Sequence, residues 1–144
     1  MSRAADELKK QVSQRARDHC EYCGMHQSLQ GSTFHLEHII AKANGGATAV
    51  ENLAWACPKC NFHKSDRVDV VDPLSGAHVR LFNPRRDFWP DHFRWDGYRV
   101  VAHTAIGRAT IVTLDLNSER RCFIRQAEEI VDLFPPKFLS ETDS

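Results

Sequence analysis

The first stretch of the chain carries its apolar residues at helical spacing. Ala5, Leu8, Val12 and Ala16 recur every three or four positions, while lysines and arginines occupy the positions between them. This pattern predicts an amphipathic helix over residues 3–18 that turns its apolar face toward a core.

Short apolar segments between turn residues follow this helix and predict strands. The predicted strands cover residues 33–40, 52–56 and 79–82, and a hairpin covers residues 92–101. A two-residue turn at Asp96-Gly97 would close that hairpin. A Gly-Gly step at residues 45–46 predicts a loop between the first two strands.

Three further helices are predicted in the rest of the chain. The first runs from Asn61 to about Arg67, directly after the second strand. Thr104 and Ser118 are residues that cap helix N-termini, and the helix after Ser118 should stop before the prolines at 135–136.

The order of these elements is helix, strand–strand–helix, small antiparallel sheet and two C-terminal helices, which indicates an α+β fold. A length of 144 residues is typical of one domain. Within it we expect a core motif at residues 20–67, a C-terminal extension at 72–135 and a flexible tail at 136–144.

Composition excludes several classes of protein. The hydrophobic fraction of 42% and the charged fraction of 26% are ordinary for a globular domain. No apolar run reaches the roughly 18 residues that a membrane span needs, and residues 1–18 lack the apolar segment of a secretory signal. We therefore expect a cytoplasmic protein with reduced cysteines and no membrane association.

Net charge argues against a protein that coats DNA, because 19 basic residues balance 19 acidic ones. The distribution is uneven, with a basic excess over residues 59–125 and an acidic excess over 128–144. A local basic face would suit a nucleic-acid enzyme, and an unremarkable neutral surface fits the same numbers.

Two CxxC pairs, Cys20/Cys23 and Cys57/Cys60, predict a structural zinc site. Four thiolates complete the tetrahedral coordination of zinc and leave no open position for water, so this ion should stabilise the fold only. It would hold the two ends of the strand–strand–helix segment together. The alternative is that these residues are buried cysteines or redox pairs. Cys122, outside both pairs, is interpreted as a core residue.

Residues between and beside the two pairs could hydrolyse a phosphodiester. That reaction needs a base for water and a cation for the charge that develops on the phosphate. His38 has the ordinary pKa that suits the base. Glu37 and Asn61 offer oxygen ligands of the type that Mg²⁺ prefers.

The ordered set of motifs resembles the HNH endonuclease family, also called ββα-metal or His-Me finger nucleases. The resemblance rests on Glu-His-Ile at 37–39, Gly-Gly at 45–46, Asn-Leu at 52–53 and CxxCNxxK at 57–64. With the first CxxC pair it spans residues 20–64. Weaker similarity to a small bacterial-type subfamily extends over residues 81–85, 89, 92–93 and 107–110.

The resemblance implies a role for each matching residue. His38 would be the general base, and Asn52 would hold the loop and orient the His38 ring. Glu37 and Asn61 would be the two protein ligands of a catalytic Mg²⁺ or Mn²⁺ ion. The implied substrate is DNA, and the implied products carry a 5′ phosphate and a 3′ hydroxyl.

Five further residues are candidates for contacts with the metal or a phosphate: His35, His63, Lys64, Arg85 and Arg108. Lys64 lies one helical turn after Asn61 and could touch a phosphate, or it could be a solvated lysine. The aromatic residues among the downstream arginines are interpreted as core.

Two other functions fit the same residues. One is a zinc-stabilised module that binds nucleic acid or protein without catalysis. The other is a nuclease subunit that needs a partner for specificity, and a homodimer is equally compatible with one active site per chain. The adjacent Glu37 and His38 lie between the two cysteine pairs and favour the nuclease hypothesis, because a binding module does not require them.

Overall fold

A computed structural model describes residues 3–140 of the chain. The α+β class is confirmed. The elements, in chain order, are α1 (Arg3–Arg15), β1 (His35–His38), β2 (Leu53–Ala56), α2 (Pro58–Lys64), β3 (Asp69–Val71), β4 (His78–Arg80), α3 (Trp89–His92), β5 (Phe93–Asp96), β6 (Arg99–Ala102), α4 (Ala105–Leu114) and α5 (Glu119–Ile130). The strands pair as three antiparallel hairpins, β1–β2, β3–β4 and β5–β6. Within residues 3–140, no helix is both long and apolar enough to span a bilayer.

Several element boundaries differ from the sequence prediction for local reasons. Helix α1 ends at Arg15 because Arg17 and Asp18 adopt left-handed backbone angles, with φ of 52° and 59°. Helix α2 begins at Pro58, three residues early, because the Cys57 side chain caps it and proline suits a first turn. Strand β3 was not predicted.

The C-terminal half follows its sequence signals more closely. The side chains of Thr104 and Ser118 cap α4 and α5, as predicted. The turn of the β5–β6 hairpin is Gly97-Tyr98, one residue later than predicted, because Asp96 pairs with Arg99. Helix α5 ends at Ile130, ahead of the prolines.

The predicted tail is partly packed. Pro136 and Leu139 are buried, and both lie against Gly24, the residue that follows Cys23. Pro136 and Leu139 therefore pack onto the fold, while residues 141–144 lie outside the described range. The flexibility of the tail stays a prediction.

The strand–strand–helix segment sits on the core. Every residue of β2 is buried, and β1 pairs with it so that His38 lies opposite Leu53 at the end of the hairpin. Helix α2 packs against β1. One hydrophobic cluster contains residues of α1, β2 and the C-terminal extension. The extension therefore packs against the segment that carries the candidate site.

Candidate active site and metal centre

The four cysteines of the two CxxC pairs meet in one buried cluster. Their Sγ atoms all lie within 4.8 Å of one another, and the Sγ atoms of Cys23 and Cys57 are 3.7 Å apart. Tetrahedral zinc with Zn–S bonds of about 2.3 Å places its sulfurs about 3.8 Å apart. The cysteines are free thiols rather than disulfides. They are positioned to bind a metal ion such as zinc.

Arg121 of α5 supplies positive charge to this cluster. Its guanidinium is buried and donates a hydrogen bond to the Cys60 Sγ at 3.4 Å. Burial alone would lower the pKa of Arg121, but the nearby thiolates outweigh it and raise the pKa above the ordinary value. A four-thiolate zinc site carries a net charge of −2, which this arginine partly offsets. Sequence reasoning did not identify Arg121. Cys122 lies outside the cluster.

His38 lies at the end of β1, and its ring is held by a residue of the following loop. The Nε2 atom of His38 and the Thr48 Oγ1 share a hydrogen bond of 2.9 Å. Partial burial, followed by the positive charges of Lys42 and Lys64, lowers the pKa of His38. The ring is therefore neutral at neutral pH, which is the form that accepts a proton. Thr48 and Lys42 were absent from the predicted site.

Asn52 closes the loop between β1 and β2. Its Oδ1 accepts from the Ile40 N–H, and its Nδ2 donates to the carbonyls of Ile40 and Ala47, each at 2.9 Å. Gly46 lies so close that a Cβ there would be 1.7 Å from the Ile40 carbonyl oxygen. These bonds fix the loop that carries Thr48, while the described contact to the His38 ring comes from Thr48 itself.

Asn52→Ala should loosen this loop more than it destabilises the protein. Water can reach the freed backbone groups, so we expect a loss of about 1 kcal/mol in the free energy of unfolding. Displacement of Thr48 and His38 should lower any cleavage rate by up to about 10²-fold. Asn44→Ala is the matched control, because Asn44 is exposed in the same loop and its described bonds are main-chain. Equal rates for the two variants would refute a role for Asn52.

Glu37 and Lys64 form a buried ion pair. The Lys64 Nζ lies 2.5 Å from Glu37 Oε1, and the Tyr22 hydroxyl donates to Glu37 Oε2 at 2.7 Å. Burial raises the pKa of Glu37, although Lys64 and Tyr22 oppose that shift. Lys64 is only 1% exposed. Lys64 is therefore not the solvated side chain that was one of the two expectations, and its ammonium group faces Glu37 in this arrangement. The expected phosphate contact stays a prediction.

Asn61 precedes Lys64 by three residues on α2, so both lie on the helix side that faces β1. Asn61 is half-buried, and its side chain forms no hydrogen bond within residues 3–140. Of the two candidate histidines, His35 is exposed, and His63 packs its ring edge-on against Phe62 at 5.5 Å.

The segment that contains the four cysteines and His38 matches a known protein family. Residues 20–67 match the family model described as HNH endonuclease. This segment is similar to HNH endonucleases. The match covers about a third of the chain and includes all four cysteines, His38 and Asn61. No curated protein and no solved structure matches the chain.

The HNH segment does not present Glu37 as a ligand for a second cation. The Glu37 residue is 4% exposed, and both oxygens of its carboxylate face protein cations or donors. The predicted pair of Glu37 and Asn61 therefore does not fit a catalytic Mg²⁺ or Mn²⁺ in this arrangement.

Two arginines predicted to contact DNA are paired with carboxylates instead. Arg85 forms an ion pair with the buried Glu21, which lies between the first two cysteines of the HNH segment. Arg108 donates two hydrogen bonds of 2.9 Å to Asp72 and holds the pKa of that carboxyl well below its usual range. Arg85 thus attaches the C-terminal extension to the core motif, and Arg108 joins two segments of the extension itself. In this arrangement both guanidinium groups face carboxylates, and a contact with DNA stays a prediction.

Proposed function

We propose that this chain is an endonuclease that hydrolyses phosphodiester bonds in DNA, with His38 as the general base. The observation that carries the proposal is the His38–Thr48 pair, held on a loop closed by Asn52 inside the segment that matches the HNH family. A neutral histidine fixed at the end of a strand is suited to remove a proton from water.

The protein's part in the reaction is a proton transfer. When His38 Nε2 donates to Thr48, the lone pair of the ring is on Nδ1 and can accept a proton from water. The resulting hydroxide attacks phosphorus, the bond from phosphorus to the 3′ oxygen breaks, and the leaving oxygen gains a proton from solvent. The products would carry a 5′ phosphate and a 3′ hydroxyl.

The proposal assigns zinc to the four-cysteine cluster. Its role would be structural, because four thiolates fill the coordination sphere. The cytoplasm is the proposed location, since thiolates stay reduced there. Because the chain resembles HNH nucleases, we also propose that cleavage depends on Mg²⁺ or Mn²⁺. Asn61 is a candidate ligand of that ion, and Glu37 is not.

Plasmid cleavage tests this function directly. Purified, zinc-loaded protein should convert supercoiled DNA to nicked or linear forms with Mg²⁺ or Mn²⁺, and it should stop when EDTA is added. Because EDTA can also remove zinc, the zinc content is measured after each reaction. Absence of cleavage with either ion, in folded protein that retains zinc, would favour the zinc-stabilised binding module or a nuclease subunit that requires a partner.

A further inference from the structure

The buried pair of Glu37 and Lys64 contacts the main chain of the proposed base. Beyond its ion pair with Glu37, the Lys64 Nζ donates to the carbonyl oxygens of Ile39 at 2.9 Å and His38 at 3.3 Å. Lys64 thereby bridges α2 to the end of β1. The peptide groups on the C-terminal side of His38 are held by the ammonium group of a side chain that is 1% exposed.

The same pair is linked to the metal cluster. Tyr22, which donates to Glu37, lies between Cys20 and Cys23 and is 1% exposed. A continuous chain of contacts therefore runs from the Cys20–Cys23 segment through Tyr22, Glu37 and Lys64 to the main chain of His38.

We propose that Glu37 and Lys64 are positioning residues for His38 and that Glu37 is not a ligand of the catalytic cation. This inference rests on the proposed function, because it concerns the placement of its base. Glu37 neutralises Lys64 and orients it, and Lys64 fixes the two carbonyl groups that set the direction of the His38 side chain.

The alternative role of Glu37 as a ligand conflicts with the surroundings of its carboxylate. A cation that binds both Glu37 and a DNA phosphate must reach an oxygen that faces the surface. The Glu37 side chain is 3% exposed, and a positive charge already lies 2.5 Å from Oε1. Since Lys64 also satisfies two buried carbonyl groups, its departure would leave those groups without a donor.

Three variants of the zinc-loaded protein test the assignment: Glu37→Gln, Lys64→Met and Tyr22→Phe. Binding of Mn²⁺ is measured by electron paramagnetic resonance without DNA, and the His38 ring is followed by NMR. A positioning role predicts Mn²⁺ affinities within about threefold of wild type, with shifted His38 resonances and lower melting temperatures. It also predicts a lower kcat with little change in KM. Tyr22→Phe removes only one hydrogen bond, so it should fold even where the charge variants do not.

A ligand role predicts the opposite pattern for the cation. Glu37→Gln would then weaken Mn²⁺ binding about tenfold or more, and Lys64→Met would strengthen it by freeing the carboxylate. Either result overturns the inference. Lys42→Met is the control, because it also removes one lysine charge near His38, but Lys42 is exposed and its loss leaves no buried partner behind.

The double variant Glu37→Gln/Lys64→Met provides a second check on the pair. It should melt at a higher temperature than either single variant, because it leaves no unpaired charge in the interior. A double variant that melts below both would contradict the pairing. The Mn²⁺, NMR and melting measurements need no cleavage, so a wild-type protein without nuclease activity would refute the proposed function and still leave this inference tested.

Discussion

His38→Ala should lower the rate of plasmid cleavage by a factor of about 10² to 10⁴, the usual contribution of a general base. Alanine cannot accept the proton of the attacking water, and the hydrogen bond to Thr48 is lost with the ring. The side chain is only partly buried at the end of β1, so the melting temperature and the zinc content should stay close to those of wild type.

His103→Ala is the matched control for this experiment. His103 is exposed, and its described bond is a main-chain donation to the His92 carbonyl, which alanine retains. Thr48→Val should give an intermediate rate, because the ring remains but loses its partner. Cleavage by His38→Ala at the wild-type rate, in a preparation free of contaminating nuclease, would show that another group acts as the base.

The sequence predicted those parts of the protein that depend on local spacing. Two cysteines separated by two residues can supply half of a metal site through local geometry alone. The structure confirms that the two pairs meet. The caps Thr104 and Ser118 are also local signals, since each accepts from a backbone N–H three residues ahead. The α+β class followed from the order of such elements.

The charged residues show where sequence reasoning stops. Lys64 looks like a surface lysine, and only the packing of α2 on β1 places its ammonium group against Glu37 and two carbonyls. Arg85 and Arg108 similarly gain their carboxylate partners from segments 64 and 36 residues away. No periodicity encodes such partners, because they depend on the three-dimensional arrangement of the extension around the core.

Thr48 illustrates the same limit within the site. A threonine in a polar loop carries no distinctive signal, and its contact with His38 requires the loop to close back on β1. Asn52 and Gly46 produce that closure, the first through three hydrogen bonds and the second through the absence of a side chain. The sequence therefore identified Asn52 and Gly46, which shape the loop, but not Thr48, which the loop places in contact with His38.

Removal of the metal from the four-cysteine cluster should have the largest effect on stability. Zinc binding at structural sites supplies about 10–16 kcal/mol, which equals or exceeds the total stability of most domains of this size. Cys57→Ala removes one ligand and also the cap of α2. We expect loss of the cooperative thermal transition, followed by circular dichroism, and a zinc content near zero. Cys122→Ala is the matched control, since Cys122 is half-buried and outside the cluster.

Loss of the metal should also remove catalysis before the whole chain unfolds. Cys20 and Cys23 hold Tyr22 in place, and Tyr22 is the first member of the chain of contacts that ends at the His38 main chain. Partial chelation should therefore shift the His38 NMR signals and reduce cleavage at temperatures where helical structure persists. If the apo protein kept the melting temperature, the His38 signals and the cleavage rate of the zinc-loaded form, the cluster would have neither a structural role nor a link to the base.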